Sequence, residues 1–163
     1  MLRATVSISK FVGSISLGLL TGVSYSLSTF TIPALLALPS AITAHHSFVR
    51  LQTLGVNHLR ALSAISGVSL LLAYTLSPRQ GRHPYLLWTA SMVGLSVSGD
   101  LWLSRDGRSL AKSRRRGDED DAPANGEEVR KSMERFQLIQ GVRTGIAGLG
   151  FVMSVVGLWG DGF

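Results

Sequence analysis

Cysteine is absent from this 163-residue chain. That excludes disulfides, thiolate metal sites and cysteine nucleophiles, and it leaves the compartment open. Charge is scarce as well. Asp, Glu, Lys and Arg together make up 16% of the residues, against roughly 25% in a soluble domain. Acid is missing from most of the chain, with no Asp or Glu before Asp100. What remains is apolar and small: 45% hydrophobic residues, 18 Gly and a mean hydropathy of +0.28. This composition excludes a chain disordered throughout and argues against an ordinary soluble enzyme.

The net charge of +6 matters less than its placement. No charged residue occurs between Lys10 and Arg50, Arg60 and Arg79, Arg82 and Asp100, or Arg143 and Asp161. Each gap approaches or exceeds the roughly 17–25 residues of a bilayer-crossing helix. Helix is the default for such runs, because lipid offers the backbone no hydrogen-bond partners. The expected fold is all-α: a polytopic four-transmembrane-helix bundle with one charged loop over residues 104–140. The spans fall at about 11–38, 59–76, 85–103 and 144–159. Pro33 should kink the first and Pro39 end it; Ser77-Pro78 stops the second. Pro84 suits the first turn of the third, where its missing N–H does no harm. Gly160-Asp161-Gly162 stops the fourth.

Small residues recur every fourth position in the first span (Ser14, Gly18, Gly22, Ser26) and in the third (Ala90, Gly94, Ser98). Gly141 and Gly145 repeat the interval before the fourth. Such intervals allow close helix approach, within a tight bundle or in a homo-oligomer. Four spans put both termini and the Ser77–Pro84 loop on one side, with Arg3, Lys10, Arg79 and Arg82. The opposite side carries the other twelve Lys and Arg. The positive-inside bias places loop 104–140 in the cytosol and both termini away from it. Only Arg3 and Lys10 charge the amino-terminal stretch, which reads as an uncleaved first anchor rather than a targeting peptide.

Chemistry-bearing motifs are few. The sequence holds no Gly-rich phosphate loop, serine elbow or paired His–carboxylate motif, so no catalytic residue or cofactor is expected. His45 and His46 are adjacent and lack the i,i+4 spacing of helical metal ligands; they read, with His58 and His83, as loop or interfacial histidines, and no metal is expected. Asp100 lies near the end of the third span, with Arg105 or Arg60 as its expected partner. Arg114-Arg115-Arg116 beside a span suits anionic headgroups better than nucleic acid. Blocks of opposite charge around Ala122-Pro123-Ala124-Asn125-Gly126 suggest a solvated, partly disordered loop. Beyond it, Val129, Met133, Phe136 and Gln140 share one side of a short helix. Phe136-Gln137-Leu138-Ile139 fits two readings. Phe136 and Ile139 could enter two pockets of a ubiquitin-like partner as an added edge strand, or the segment could be an interfacial helix. Ser132, flanked by Arg130 and Lys131, is a candidate phosphosite.

Two strings carry a resemblance. Arg82-His83-Pro84-Tyr85-Leu86-Leu87-Trp88 opens the third span, and Gly157-Leu158-Trp159-Gly160-Asp161-Gly162 closes the chain. With the Ser- and Gly-rich first span, these resemble the fungal autophagy-related protein thirty-three family and its close relative. The resemblance implies a non-enzymatic multi-span protein of the mitochondrial outer membrane, acting in selective autophagy of mitochondria (mitophagy) with an autophagy adaptor or ubiquitin-like protein as partner. The loop departs from the family: it is short and lacks the Ser/Thr-rich acidic stretch of longer members. A fainter similarity, through Pro33-Ala34-Leu35-Leu36, runs to small four-helix membrane proteins of the anthrone oxygenase type. That alternative would make Asn57, His58 and Arg60 the polar lining of a cofactor-free cavity. An unassigned structural or assembly role is the third reading.

Overall fold

A computed structural model describes residues 2–77, 83–98 and 126–160. Those residues are helical apart from a short turn at 37–40 and a few residues at segment ends, and they include no strand. Helix α1 spans Leu2–Ser26 and passes through a π-helical turn, Leu27–Thr31, into α2, Ile32–Leu36. Helix α3 spans Ala41–Leu76, α4 covers Tyr85–Ser98, and α5 spans Gly126–Gly160. The run through α1 and α2, together with α3 and α5, gives three helices long and apolar enough to cross a membrane; α4 is apolar but shorter. Asp100, Trp102, Arg105, Arg114–Arg116 and most of the charged loop lie outside the described residues.

The helix ends differ from those marked by charge. The helix that contains the second expected span begins at Ala41, because nothing between residues 41 and 59 breaks a helix. Ser40 caps this start, its Oγ accepting from the Thr43 N–H at 3.4 Å. The helix that contains the last expected span begins at Gly126 and takes in the short helix expected from Val129 to Gln140. Glu127 and Glu128 occupy its first turn, where the positive end of the helix dipole favours acid. Within the expected charged segment 104–140, residues 126–140 are helix and continue into the apolar part of α5. Pro33 does not break the first helix but sits in the first turn of α2. The π turn precedes it, with Ile32 N–H bonded to the Leu27 carbonyl.

The buried residues follow a 4-3 rhythm. On α5 they are Val129, Met133, Phe136, Gln140, Arg143, Ala147, Gly150 and Ser154. On α1 the same rhythm runs through Val6, Lys10, Gly13, Leu17, Leu20 and Ser24. An average repeat of 3.5 keeps one seam facing its neighbours along a whole helix. The neighbours are antiparallel. Gly13 of α1 meets Leu70 of α3, while Gly18 and Thr21 meet Phe151 and Gly148 of α5. Helix α4 fits against both α3 and α5, with Val93 near Gly67 and Met92 near Gly150.

Two cores result. The larger one centres on Leu17, Leu20, Leu59, Leu70, Leu86 and Ala147. The smaller is built from Ile32, Ala44, Phe48, Val129, Met133 and Phe136. Helix α3 alone rises about 54 Å at 1.5 Å per residue, well beyond the roughly 30 Å of a hydrocarbon core. The second core occupies that excess and forms a helical headpiece at one end.

Candidate functional site

The two strings singled out in the sequence meet in space. Tyr85, from the string that opens α4, lays its ring against Gly157, from the string that ends α5. A Cβ built on Gly157 would fall 2.4 Å from Tyr85 Cε2 and 2.5 Å from Cδ2. Glycine is therefore required by close approach here, not by backbone conformation. Lys10 of α1 places its Nζ 5.9 Å from the centre of the same ring, a cation–π distance. The His83 ring lies 6.1 Å away, tilted by 30°.

One turn deeper, hydroxyls bind α1 to α5. Ser14 Oγ donates to the Lys10 carbonyl at 2.9 Å and is also bonded to Ser154 Oγ. A serine hydroxyl has one proton, so Ser154 is the donor in the second bond. Ser66 Oγ of α3 donates to the Gly13 carbonyl at 2.9 Å. These groups are buried, while Trp88 and Trp159 near the same end are 60% and 84% exposed. The arrangement is a clamp with a polar interior and an aromatic exterior.

A second polar layer lies towards the headpiece. Arg143 is 1% exposed. Its Nε donates to the Ser96 carbonyl of α4 at 2.9 Å and its Nη1 to Gln140 Oε1 at 3.3 Å. This bond ties a buried cation of α5 to a backbone carbonyl of α4. Gln140 Nε2 and Ser24 Oγ are buried with no hydrogen-bond partner among the described residues. In the sequence Arg143 is the edge of a charge gap. Extending the rhythm Val129, Met133, Phe136, Gln140 by three residues would have put it inside.

The small residues chosen from the sequence are placed unevenly. Ser14 is buried, and a Cβ on Gly18 would meet Phe151 Cε2 at 2.9 Å. Nothing lies within 4 Å of such a Cβ on Gly22, Gly94, Gly141 or Gly145, and Ser26 and Ser98 are exposed. Ala90 packs against the larger core. A strict four-residue interval turns about 40° per step around a helix of 100° per residue, so it leaves a seam that the 4-3 rhythm keeps.

Phe136 is not placed for strand addition. It is 1% exposed, lies within α5, and meets Phe48 edge-to-face at 5.6 Å between ring centres. Presenting Phe136 and Ile139 as an extended segment would require unwinding α5 and opening the smaller core. Ser132 is exposed, and its Oγ donates to the Glu128 carbonyl at 2.9 Å. Its basic neighbours are paired along the helix, Arg130 with Glu134 and Lys131 with Glu127, each at 2.9 Å. Asn57, His58 and Arg60 are exposed on α3, and Arg60 borders an open groove between α3 and α4. His45 and His46 touch only edge-to-face, and no metal-holding group of three ligands occurs among the described residues.

The sequence profile of the family described as Autophagy-related protein 33 matches residues 1–132. A curated relative from Gibberella zeae, bearing that same name, is 39% identical over 97% of this chain and 92% of its own length. The chain belongs to this family. No solved structure matches it. The alignment with the relative reaches beyond the profile's last residue, so the likeness takes in most of α5 as well as the clamp's Lys10 and Tyr85.

Proposed function

We propose that this is a non-enzymatic protein of the mitochondrial outer membrane that acts in selective autophagy of mitochondria. The observation that carries the reading is family membership: the relative's name states an autophagy-related protein. The physical pattern supports a membrane setting. Large apolar residues such as Ile8, Leu19, Val68, Leu95 and Val156 are exposed, while Ser14, Ser63, Ser66, Thr89 and Ser154 are buried. Lipid favours that inverted distribution, because buried hydroxyls bond between helices and exposed aliphatics cost nothing.

Four spans fit this pattern, with α4 as the shortest. The antiparallel order then puts both termini on the side away from the cytosol and the headpiece with the charged loop in it. The twelve basic residues on the headpiece side support that orientation. On α5, the surface offered to an adaptor is the charged outer face around Ser132. A phosphate there, adding about −1.5 to −2 charge, would compete with Glu127 and Glu134 for Lys131 and Arg130.

The test uses a fungal strain lacking its own family member. A tagged copy of this chain should mark the mitochondrial rim and restore mitochondrial turnover on starvation. Protease added to intact mitochondria should cut within residues 104–140 and spare a tag after Phe163. A reticular endoplasmic pattern, or turnover that stays impaired with the protein at normal level, would refute the reading.

A further inference from the structure

The outer faces of α3 and α5 differ in character towards the headpiece. Both helices run antiparallel to α1, and Phe48 meets Phe136, so residues 50–60 of α3 stand beside residues 138–148 of α5. Over that height α3 exposes Arg50, Thr53, Asn57, His58 and Arg60, with Leu54 as the one large apolar side chain among them. The same height of α5 exposes Leu138, Gly141, Val142 and Gly145. Its one charge, Arg143, is buried and bonded to the Ser96 carbonyl of α4. Phe30 of the π turn is exposed beside it.

The two helices therefore offer lipid apolar faces of different length. On α3 the face runs from Ala61 to Leu76, about 23 Å at 1.5 Å per residue. On α5 it runs from Leu138 to Trp159, about 32 Å. The second matches a hydrocarbon core of roughly 30 Å and the first falls short of it. Tilting the molecule does not remove the difference, because on any one side it moves both ends of the apolar face together. A long arginine reaches up to headgroups, but Asn57 and His58 are shorter and share one turn with Arg60. We propose that the chain thins the bilayer on its α3 side: hydrocarbon climbs to Leu138 along α5 and stops below Asn57, His58 and Arg60 along α3, a difference of about 9 Å in thickness. Lipid is the occupant of the α5 face because, among its exposed residues, Leu138 and Val142 continue into Leu149, Val152 and Val156.

The proposal rests on the membrane-spanning reading, and the test separates the two. The full-length chain has no cysteine, so one spin label is placed at a time through Leu54→Cys, Val142→Cys, Val68→Cys or Val156→Cys. All four positions are exposed. Leu54 is matched in height with Val142, and Val68 with Val156, by the offset that sets Phe48 beside Phe136. Depth is read from the access of oxygen and of a water-soluble nickel chelate to each label, in discs of palmitoyl-oleoyl phosphatidylcholine holding one copy. Tilt alone makes the label at 54 shallower than that at 142, and the label at 68 deeper than that at 156, by equal amounts. A thinned α3 side makes the first difference exceed the second by about 9 Å. A first difference no larger than the second overturns the proposal. So does a label at 142 open to the chelate, or a label at 54 closed to both reagents, since water or protein would then bound that face. Alkaline carbonate extraction serves as the control. A chain stripped from membranes by carbonate refutes the spanning reading itself, whereas a carbonate-resistant chain with equal differences refutes only the thinning.

Discussion

The bundle and the headpiece are built from the same helices but held by different forces. Around Leu17, Leu70 and Ala147 the interior is no more apolar than the exterior, where Leu19, Leu71 and Val152 are exposed. Burial gains little there if the outside is lipid. The specificity comes from close approach at Gly13, Gly18 and Gly157 and from bonds such as Ser66 to the Gly13 carbonyl. Around Phe48, Met133 and Phe136 the outward residues of α5 are Glu127, Arg130, Lys131 and Glu134. Water would select that contrast on α5, although Ile42 and Val49 of α3 are exposed beside the same core. The same 4-3 rhythm thus carries small and polar residues in one region and large apolar ones in the other.

The largest expected effect tests the headpiece side of that contrast. Phe136→Ala removes a fully buried ring from a small core and should cost about 3–5 kcal/mol. Limited proteolysis should then cut within residues 126–140 while the bundle persists. A loss of only a few tenths of a kcal/mol would mean that lipid, not water, surrounds this core. Next comes Gly157→Ala in the bundle. Its methyl group would overlap the Tyr85 ring, and overpacking of this kind costs about 1–3 kcal/mol. Thermal unfolding in detergent should show it, and Tyr85→Leu should relieve it by freeing the space. If the double variant is no better than Gly157→Ala alone, the clamp is not formed by these two residues.

A smaller effect is expected at the join between the regions. In the π turn, the Ser28 carbonyl would need an N–H from residue 33, and Pro33 has none. Gln137 Nε2 supplies the donor at 2.9 Å from α5. Gln137→Leu should cost about 1–3 kcal/mol for an unmet buried carbonyl. Replacing Pro33 by Ala in the same chain should recover part of that, because the backbone then provides its own donor. Midpoints of thermal unfolding for the single and double variants measure the coupling.

The two regions were unequally legible in the sequence. Gaps in charge located the lipid-like stretches, since no side chain in them has a reason to face water. The same gaps say nothing of where α3 and α5 start, since both helices begin well before the uncharged stretch. Arg50, Arg130 and Arg135 interrupt the hydropathy without interrupting the helix. Ser40 before Ala41, and Gly126-Glu127-Glu128 ahead of an apolar rhythm, are the local signals that mark those starts. Among the site residues, Gly157 and Tyr85 were visible only as parts of two strings. Their contact depends on α4 and α5 running antiparallel at one particular register, which no local pattern encodes. Arg143 was hidden differently, because a charge at the edge of an apolar run looks like a boundary until the seam is followed through it.

The smallest expected effect separates a packed face from an exposed one. Gly18 and Gly22 lie one turn apart on α1, yet a Cβ on the first would meet Phe151 at 2.9 Å and one on the second would meet nothing within 4 Å. Gly18→Leu should therefore destabilise the bundle by about 1–3 kcal/mol. Gly22→Leu should shift stability by less than about 0.5 kcal/mol, the range for surface changes away from special features. Both variants are measured as thermal midpoints in detergent and again in bilayer discs holding one or several copies. Equal midpoints for native and Gly22→Leu proteins in single-copy discs, together with a fall in multi-copy discs, would show that a second chain covers this face. The every-fourth-residue stripe would then belong to an oligomer seam distinct from the 4-3 seam of the bundle. No change in either disc leaves Gly22 facing lipid and separates it from closely packed glycines such as Gly13, Gly18, Gly150 and Gly157.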